Sequence, residues 1–400
     1  MPPSPTPRPP ALCPPVRVLL GPGPSEIHPR VQKAMSAGTV GHLDPYFLEV
    51  MNGLRAMLKQ VFMTDNEMTF AVSGTGSAGM EAAVVNLIEP NDKMLICVNG
   101  VFGGRMADVA GRCGAEVKVI EQPWGEVFSP EQIEKAIRDF SPKVVGVVMA
   151  ETSTGASQPI EAISEVVHKA GGLLLVDAVT SLGGMPVRVD EWKIDAVYSG
   201  SQKCLSCPPG LAPVSFSPTA LEVIKSRKTK VQSWYLDVSM LANYWGSERV
   251  YHHTAPINMT WGLYEALQVV LEEGLDNVFA RHKLNSQALK AGLNSIGISY
   301  AAAEGYQLPM LNAVKIPDGV DDAAVRSSLL NEFGIEIGGG LGAFKGKAWR
   351  IGLMGHGARR NNVLLFLSAL EQLLATQGYE FGRGDSVAAA NAVYEGQSSG

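Results

Sequence analysis

The chain has 400 residues, of which 46% are hydrophobic and 18% charged, and it carries a formal net charge of -6 at pH 7. This length and composition favour a large α/β domain followed by a smaller one, rather than a disordered or fibrous protein. The acidic balance offers no basic surface for a nucleic-acid backbone, and no apolar run reaches the roughly eighteen residues that a transmembrane helix needs.

The two ends of the chain differ in composition from its middle. Residues 1–16 contain repeated prolines, which lack a backbone donor, and predict a disordered leader. Residues 381–400 are rich in Gly, Ser and Ala and predict a flexible tail. The cysteines are too few and odd in number for a disulfide framework, which favours a reducing, cytoplasmic compartment. They are Cys13, Cys97, Cys113, Cys204 and Cys207.

Short apolar runs alternate with amphipathic patterns between Met68 and Lys203. The predicted strands are MTFAV, KMLICV, EVKVI, VVGVVMA, GLLLVDAV and IDAVYS, and the predicted helices are GMEAAVVNLI, GGRMADVAGRC, PEQIEKAIRDF and PIEAISEVVHKA. Repeated strand–helix alternation is typical of a mostly parallel sheet with helices on both faces. The sequence therefore predicts the α/β class.

The alternation loosens after about residue 265. A long helical stretch over 264–297 precedes the strand-like LNAVKIP, the helix-like DDAAVRSSLLNEF and the strand-like AWRIGLMG. We predict a large domain over 17–265 and a smaller α+β domain over 266–380.

A glycine-rich segment, SGTGSAGMEAA, begins at Ser73 between a predicted strand and a predicted helix. Backbone N–H groups at a helix N-terminus, with glycines that permit close approach, can bind a phosphate group. Hydroxyls of Thr75 and Ser77 could add donors. Taken alone, the segment is equally consistent with a tight strand-to-helix turn that binds nothing.

The same glycines also satisfy G-x-G-x-x-G, the pattern of dinucleotide-binding oxidoreductases. That pattern requires an acid at the end of the next strand to hold the ribose. The next strand, MLICVN, instead ends on Asn99 and Gly100, and Asp92 lies at its other end. The phosphate interpretation is therefore favoured, with the oxidoreductase as the alternative from a different class.

Two further strand ends carry reactive groups. Asp177 ends the apolar run LLLVD, where a buried carboxylate requires a cation. Lys203 follows the strand IDAVYS among small residues, where a partly desolvated amine can form a Schiff base. A phosphate site, an anion and an amine together match one cofactor, pyridoxal phosphate, and their combination is more specific than any one of them.

The segments SGTGS, ETSTG, VDAVTSLGG, SGSQK, YHHT and RIGLMG occur in the order found in class V aminotransferases of fold type I. Over about residues 17–380 the chain resembles the alanine–glyoxylate and serine–glyoxylate branch, and its opening GPGPSEIHPRV matches as well. The resemblance implies pyridoxal 5'-phosphate as cofactor. It also implies a large domain with a mostly parallel, seven-stranded sheet flanked by helices, and a smaller C-terminal α+β domain.

The resemblance further implies a set of cofactor-binding residues. They are Thr75, Gly76, Ser77, Phe102, Thr152, Asp177, Val179, Gln202, Lys203, Tyr251 and Thr254. Phe102 would stack on the pyridine ring, where the family often has Trp or Tyr, and phenylalanine keeps the π-face. Lys203 would be the catalytic base and Asp177 the partner of the ring nitrogen.

In the resemblance, Tyr251 and Thr254 of YHHT reach the cofactor phosphate of the neighbouring subunit, which implies a homodimer with shared active sites. His252 and His253 suggest a metal site, but no acidic or cysteine partner set accompanies them, so no metal is expected.

Arg350 matches the arginine that binds the substrate carboxylate, a task suited to a planar guanidinium. Thr152 and Gly41 are also implied at the substrate, and Ser25 and His42 are candidates to border the same pocket. The expected reaction is transfer of an amino group from L-alanine to glyoxylate. L-serine, ureidoglycine and aspartate are the alternative donors.

Two other hypotheses concern the cysteines and the activity itself. Cys204 and Cys207 form a single C-x-x-C beside Lys203, which is too little for a zinc site, and we interpret both as packing residues. Cysteine desulfurases need a catalytic cysteine in the smaller domain, and no cysteine follows Cys207. A catalytically silent member of the family is the third alternative.

Overall fold

The computed structural model of the chain describes residues 11–396. Its strands are β1 (Val18–Leu19), β2 (Met68–Ser73), β3 (Lys93–Val98), β4 (Glu116–Glu121), β5 (Val144–Val148), β6 (Ala150–Glu151), β7 (Ala156–Ser157), β8 (Leu173–Asp177), β9 (Ala196–Tyr198), β10 (Leu211–Phe216), β11 (Leu311–Lys315), β12 (Ile335–Glu336), β13 (Gly338–Gly339) and β14 (Ala348–Gly352). Its α-helices are α1 (Pro29–Met35), α2 (Pro45–Phe62), α3 (Gly76–Leu87), α4 (Val101–Arg112), α5 (Pro130–Phe140), α6 (Glu161–Lys169), α7 (Pro218–Lys225), α8 (Val238–Trp245), α9 (Ile257–Glu273), α10 (Leu275–Ser295), α11 (Asp322–Glu332), α12 (Arg360–Thr376) and α13 (Asp385–Gly396). None of the helices in this range is long and apolar enough to cross a membrane.

The central sheet has seven strands in the order β2-β10-β9-β8-β5-β3-β4. Strand β10 runs antiparallel to β2 and β9, and the other neighbouring pairs are parallel. The predicted mostly parallel, seven-stranded sheet is therefore confirmed. Ser73, Asp177 and Tyr198 end three strands that run in one direction, so they lie at one edge of the sheet, where open α/β sheets bind their ligands.

Strand β10 is the one member of this sheet that the sequence pattern did not predict. It contains Pro213, which cannot donate a hydrogen bond and is unusual in a central strand. The carbonyl of Pro213 still accepts from the backbone of Ser199 at 2.7 Å. Its apolar side chains are buried between the flanking layers.

A second, smaller unit follows the large sheet, as predicted. Strands β11, β14 and β13 form an antiparallel sheet that packs with helices α10–α13 around a separate hydrophobic core. The long helical stretch is in fact two helices, because Gly274 adopts a φ of +85° between α9 and α10. The predicted domain boundary at 265/266 falls within α9.

The N-terminal segment contacts this smaller unit as well as the large one. Strand β1 pairs in parallel with β12, and Leu20 is fully buried in the C-terminal core. The chain then passes to the large unit, where the backbone N–H of Ser25 donates to the carbonyl of Gln202 at 2.9 Å.

The tail predicted to be flexible is largely helical. Helix α13 packs on α10, with Ala390 and Tyr394 buried in the C-terminal core, and the carboxylate of Glu371 accepts from the backbone and hydroxyl of Ser386. The prediction was wrong for residues 385–396 because alanine-rich sequence is also favourable for helix. In the predicted leader, residues 11–16 form no helix or strand, and residues 1–10 lie outside the described range, as do 397–400.

Candidate active site

A cavity of about 480 Å³ opens at the edge of the central sheet where β8 and β9 end. Its walls are Gly76, Ser77, Met80, Phe102, Arg105, Ala150, Thr152, Asp177, Val179, Thr180, Tyr198, Gln202 and Lys203. Eight of the residues predicted from the sequence are in this set. Thr75 lies directly beside it, as the N-cap of α3.

Lys203 lies in a narrow space beside the N-terminal segment. Its amine donates a hydrogen bond to the carbonyl of Pro22, and a β-carbon added to Gly23 would lie 2.5 Å from its Nζ. The pKa of Lys203 is lowered to about 8, mainly by burial and in part by the positive charge of Arg350. A larger fraction of this amine is therefore neutral, and so nucleophilic, than for a solvated lysine at neutral pH.

Asp177 is held by two donors at the floor of the cavity. Its Oδ1 accepts from the backbone N–H of Val179 at 2.9 Å, and its Oδ2 accepts from the hydroxyl of Tyr198 at 2.7 Å. Burial nevertheless raises the pKa of Asp177 to about 6. Among residues 11–396 no cation forms an ion pair with this buried carboxylate, which is therefore suited to bind a positively charged group.

Glu151 is a second buried carboxylate near this floor, and no sequence motif predicted its role. Its Oε2 accepts from the backbone N–H of Phe102 at 3.0 Å, and its Oε1 accepts from the hydroxyl of Ser153 at 2.6 Å. The hydroxyl of Ser153 in turn accepts from the backbone of Val101 at 3.0 Å. Glu151 and Ser153 therefore cap the N-terminus of α4, which orients Phe102 toward the cavity.

The N-terminus of α3 forms the opposite wall. Thr75 caps the helix without a side-chain hydrogen bond to it, so its hydroxyl and the first N–H groups have no partner within the cap. Gly76 permits close packing, because a β-carbon there would lie 3.2 Å from the side chain of Val179. This arrangement is suited to an anion such as a phosphate.

The side chain of Gln202 is a further indication that the cavity binds a ligand. Its buried Oε1 has no hydrogen-bond partner among the described residues, although the side chain lines the cavity. Buried amide groups are normally satisfied, and the orientation of a Gln amide can be reversed to suit a ligand. The amine, the buried acid, the free helix terminus and this unsatisfied amide together fit pyridoxal phosphate.

Two arginines lie near the cavity in different roles. Arg350 on β14 is buried, its Nε donates to the carbonyl of Gly339 at 2.8 Å, and burial lowers its pKa. It does not line the cavity, but its charge reaches Lys203. Arg105, one turn after Phe102 on α4, does line the cavity and was not predicted.

Tyr251, Thr254 and Gly41 do not line the cavity of their own chain. All three are exposed, and Tyr251 contacts the ring of His42 with centroids 5.0 Å apart. Ser25 is buried, and its hydroxyl donates to the carbonyl of Lys203 at 2.5 Å, so it supports the lysine segment.

The paired histidines have packing and hydrogen-bonding roles. The ring of His252 stacks on Trp234 with centroids 4.5 Å apart, and His253 hydrogen-bonds to the hydroxyl of Ser73 at 2.8 Å. Within residues 11–396 no group of three or more His, Cys, Asp or Glu side chains could hold a metal ion. Cys204 and Cys207 are buried, and burial raises the pKa of each thiol to about 12.

The fold and these residues define a pyridoxal phosphate enzyme with a single active-site lysine. The family model "Aminotransferase class-V" matches residues 22–350. This chain belongs to the class-V aminotransferases, and pyridoxal 5'-phosphate is their cofactor. Nothing in the comparisons supports an oxidoreductase.

Relatives with named activities lie close in sequence and in structure. The chain is 40% identical to the (S)-ureidoglycine–glyoxylate transaminase of Bacillus subtilis over 96% of this chain and 97% of the relative. It is also 40% identical to the alanine–glyoxylate aminotransferase of Drosophila melanogaster over 90% and 93%. The crystal structure of alanine–glyoxylate aminotransferase from Nostoc sp. matches with 51% identity and a TM-score of 0.91, covering 92% of this chain and 97% of that one.

Proposed function

We propose that this chain transfers an amino group from a small L-amino acid, L-alanine first, to glyoxylate. The observation that carries the proposal is the convergence of the Lys203 amine, the buried Asp177 carboxylate and the N-terminus of α3 on one cavity. The named relatives support glyoxylate as the acceptor. They support ureidoglycine as well as alanine as donor, and L-serine and aspartate are further alternatives.

The same geometry supports the cofactor-binding residues that the family resemblance implies. Lys203 would hold the cofactor through its amine, Asp177 would face its ring nitrogen, and Phe102 and Val179 would contact its ring. Thr75, Gly76 and Ser77 would bind its phosphate, Gln202 would contact the cofactor beside Lys203, and Thr152 would lie near the ring hydroxyl. When bound, the cofactor supplies an aldehyde that accepts the amino group and a ring that takes up negative charge.

Substrate binding is assigned to Arg350, with Thr152 at the cavity and with Gly41, which is exposed and does not line the cavity of its own chain. A buried guanidinium can bind both oxygens of the substrate carboxylate and thereby orient the Cα–H bond. The amine of Lys203 is the base that removes the proton from Cα, because its lowered pKa leaves it partly neutral near pH 7. Pro22 and Gly23 pack against that amine, and Lys203 is only 9% exposed.

We also propose that the protein is a homodimer in which Tyr251 and Thr254 reach the partner's cofactor phosphate. Support comes from an aromatic patch, defined as Trp234, Tyr235, Val250 and Tyr251, whose side chains are 39–59% exposed. Exposed apolar groups in such a cluster favour a protein interface. The five unpaired cysteines support a cytoplasmic location.

The decisive test uses purified protein, L-alanine and glyoxylate. Wild-type protein should show an absorbance band between about 300 and 500 nm that shifts when L-alanine is added, and should form pyruvate and glycine. Lys203→Ala should lose the product while Arg112→Gln, a change on an exposed face of α4, keeps it. Absence of any band after incubation with pyridoxal phosphate would refute the cofactor assignment. A band with no turnover of any of the four donors would favour the catalytically silent alternative.

A further inference from the structure

Helix α4 directs a second cation into the active-site cavity. Arg105 follows Phe102 by three residues, so both side chains occupy one face of the helix. The guanidinium carbon of Arg105 lies 4.9 Å from the centre of the Phe102 ring, within the range of a cation–π contact. The aromatic ring therefore helps to hold the guanidinium at the cavity wall.

The position of Arg105 is at the anion-binding end of the cavity. Its Nη1 lies 3.5 Å from the hydroxyl of Ser77, which belongs to the first turn of α3. This distance is at the long limit for a hydrogen bond, so the contact is weak and leaves the guanidinium N–H groups largely available to a ligand. The positive charge also acts within the cavity, since it opposes the rise in the pKa of Tyr198 that burial causes.

The other cations near the cavity do not account for the binding of a phosphate group. Lys203 is needed for the aldehyde, and Arg350, whose Nε donates to the carbonyl of Gly339, is not among the cavity-lining residues and is proposed for the substrate carboxylate. A phosphate group carries close to two negative charges, whereas the N-terminus of α3 supplies only partial positive charge. Arg105 is the other cation among the cavity-lining residues.

We propose that Arg105 binds the cofactor phosphate together with the N-terminus of α3. The inference rests on the proposed function, because it concerns the same cofactor, but it assigns a residue that neither the motifs nor the family resemblance supplied. The capping of α4 by Glu151 and Ser153 would position Arg105 as well as Phe102.

Cofactor-free protein allows this role to be tested apart from activity. Arg105→Gln should weaken the affinity for pyridoxal phosphate by about tenfold or more, the loss expected for a charge-assisted bond to phosphate, while leaving the affinity for pyridoxal unchanged. Arg105→Lys should recover part of the affinity. Inorganic phosphate, titrated calorimetrically, should bind the wild type more tightly than Arg105→Gln. The matched control is Arg112→Gln on the same helix, whose guanidinium pairs with Asp108 at 2.8 Å.

The other outcomes overturn the inference in distinguishable ways. Equal losses for pyridoxal and pyridoxal phosphate would mean that Arg105 acts by supporting Phe102. Unchanged cofactor affinity with a raised KM for the amino donor would place Arg105 at the substrate. If the wild type bound inorganic phosphate but no pyridoxal phosphate, the proposed function would fail, and the phosphate titration of Arg105→Gln would still decide the role of Arg105. If neither ligand bound the wild type, both would fail.

Discussion

The hydroxyl of Tyr198 donates a 2.7 Å hydrogen bond to Oδ2 of Asp177, and both side chains are buried. The two residues are register partners on the adjacent parallel strands β8 and β9. A second bond from the backbone of Val179 occupies Oδ1, so the carboxylate is fixed in orientation. Tyr198 is therefore a positioning residue for the acid that would face the cofactor's ring nitrogen.

Replacing Tyr198 by Phe removes a bond that stabilises the ionised form of Asp177. The pKa of Asp177, about 6 in the cofactor-free protein, should then rise further. Because the ionised acid is the form that pairs with a pyridinium, we expect roughly tenfold weaker affinity for pyridoxal phosphate near pH 7. The pH below which affinity falls should also move upward. Cofactor titrations of the cofactor-free protein at several pH values measure both changes.

Tyr300→Phe provides the matched control for this change. Tyr300 is also buried, and its hydroxyl hydrogen-bonds Asn312 at 2.9 Å within the C-terminal unit, away from the cavity. It should lower stability without changing the pH dependence of cofactor binding. A similar shift in both variants would contradict a specific role for Tyr198.

Glu151→Gln should change both the stability of the protein and the pKa of Asp177, and the two effects can be measured separately. The variant loses one acceptor at the N-terminus of α4, so the free energy of unfolding should fall by about 1–3 kcal/mol. Loss of the neighbouring negative charge should lower the pKa of Asp177, because Glu151 raises it. Cofactor binding should therefore persist to lower pH, the opposite direction from Tyr198→Phe. Chemical denaturation and pH-dependent titration measure the two effects, and Glu161→Gln, an exposed change in α6, should produce neither.

The reaction of Lys203 with the cofactor should report its lowered pKa. The neutral amine is the nucleophile, so the rate at which cofactor-free protein takes up pyridoxal phosphate should rise with pH and level off above about 8. Arg350→Gln removes a positive charge that lowers this pKa, so the midpoint should move to higher pH. Stopped-flow absorbance gives the profile. An unchanged midpoint in Arg350→Gln would argue against proximity of the two cations.

The same pKa predicts a gain in stability when Lys203 is replaced. A lysine whose pKa is lower in the folded state costs stability as pH falls from 10.5 through about 8, and the full cost is present at pH 7. Lys203→Met should raise the melting temperature of cofactor-free protein by about 2 °C near pH 7. The gain should shrink as pH rises toward 10. Calorimetry at two pH values tests this, and an equal gain at both would exclude the charge as its cause.

Mixing two inactive variants should test whether Tyr251 serves the partner subunit. A subunit with Lys203→Ala keeps Tyr251, and a subunit with Tyr251→Ala keeps Lys203. In a mixed dimer one site would contain both native residues, so random mixing should recover about a quarter of wild-type activity. Recovery is measured after subunit exchange, with each variant alone as control. No recovery in mixtures shown to contain mixed dimers would mean that Tyr251 acts within its own chain.

The strand-end motifs allowed most of the cavity to be predicted, because contiguous segments such as LLLVDAVTS and DAVYSGSQK carry both the strand and the functional residue. Tyr198 directly precedes SGSQK but was missed. Its role depends on the adjacency of β8 and β9, which no local pattern encodes. Arg105 could have been found from its helical spacing to Phe102, since it follows Phe102 at the i, i+3 position of α4.

Other differences have similar physical causes. Strand β10 was not predicted because it contains Pro213, which lacks a backbone donor. In the structure the carbonyl of Pro213 still accepts a hydrogen bond within the sheet. Helix α13 was not predicted because its alanine-rich composition is common to helices and to flexible tails. Tyr251, Thr254 and Gly41 are exposed, and the role proposed for Tyr251 and Thr254 requires a second subunit, which a single sequence does not describe.

The N-terminal segment links the strand that carries Arg350 to the segment that carries Lys203. The carbonyl of Leu20 accepts from Gly352 at 2.7 Å, two residues beyond Arg350, and Ser25 is bonded to the carbonyls of Gln202 and Lys203. One short peptide thus spans from the strand of Arg350 to the segment of Lys203. Covalent geometry limits its length, so chain connectivity constrains the separation between Arg350, the proposed carboxylate-binding group, and the amine of Lys203. Inserting or deleting a residue between Leu20 and Ser25 would change which amino acids fit between carboxylate and amine.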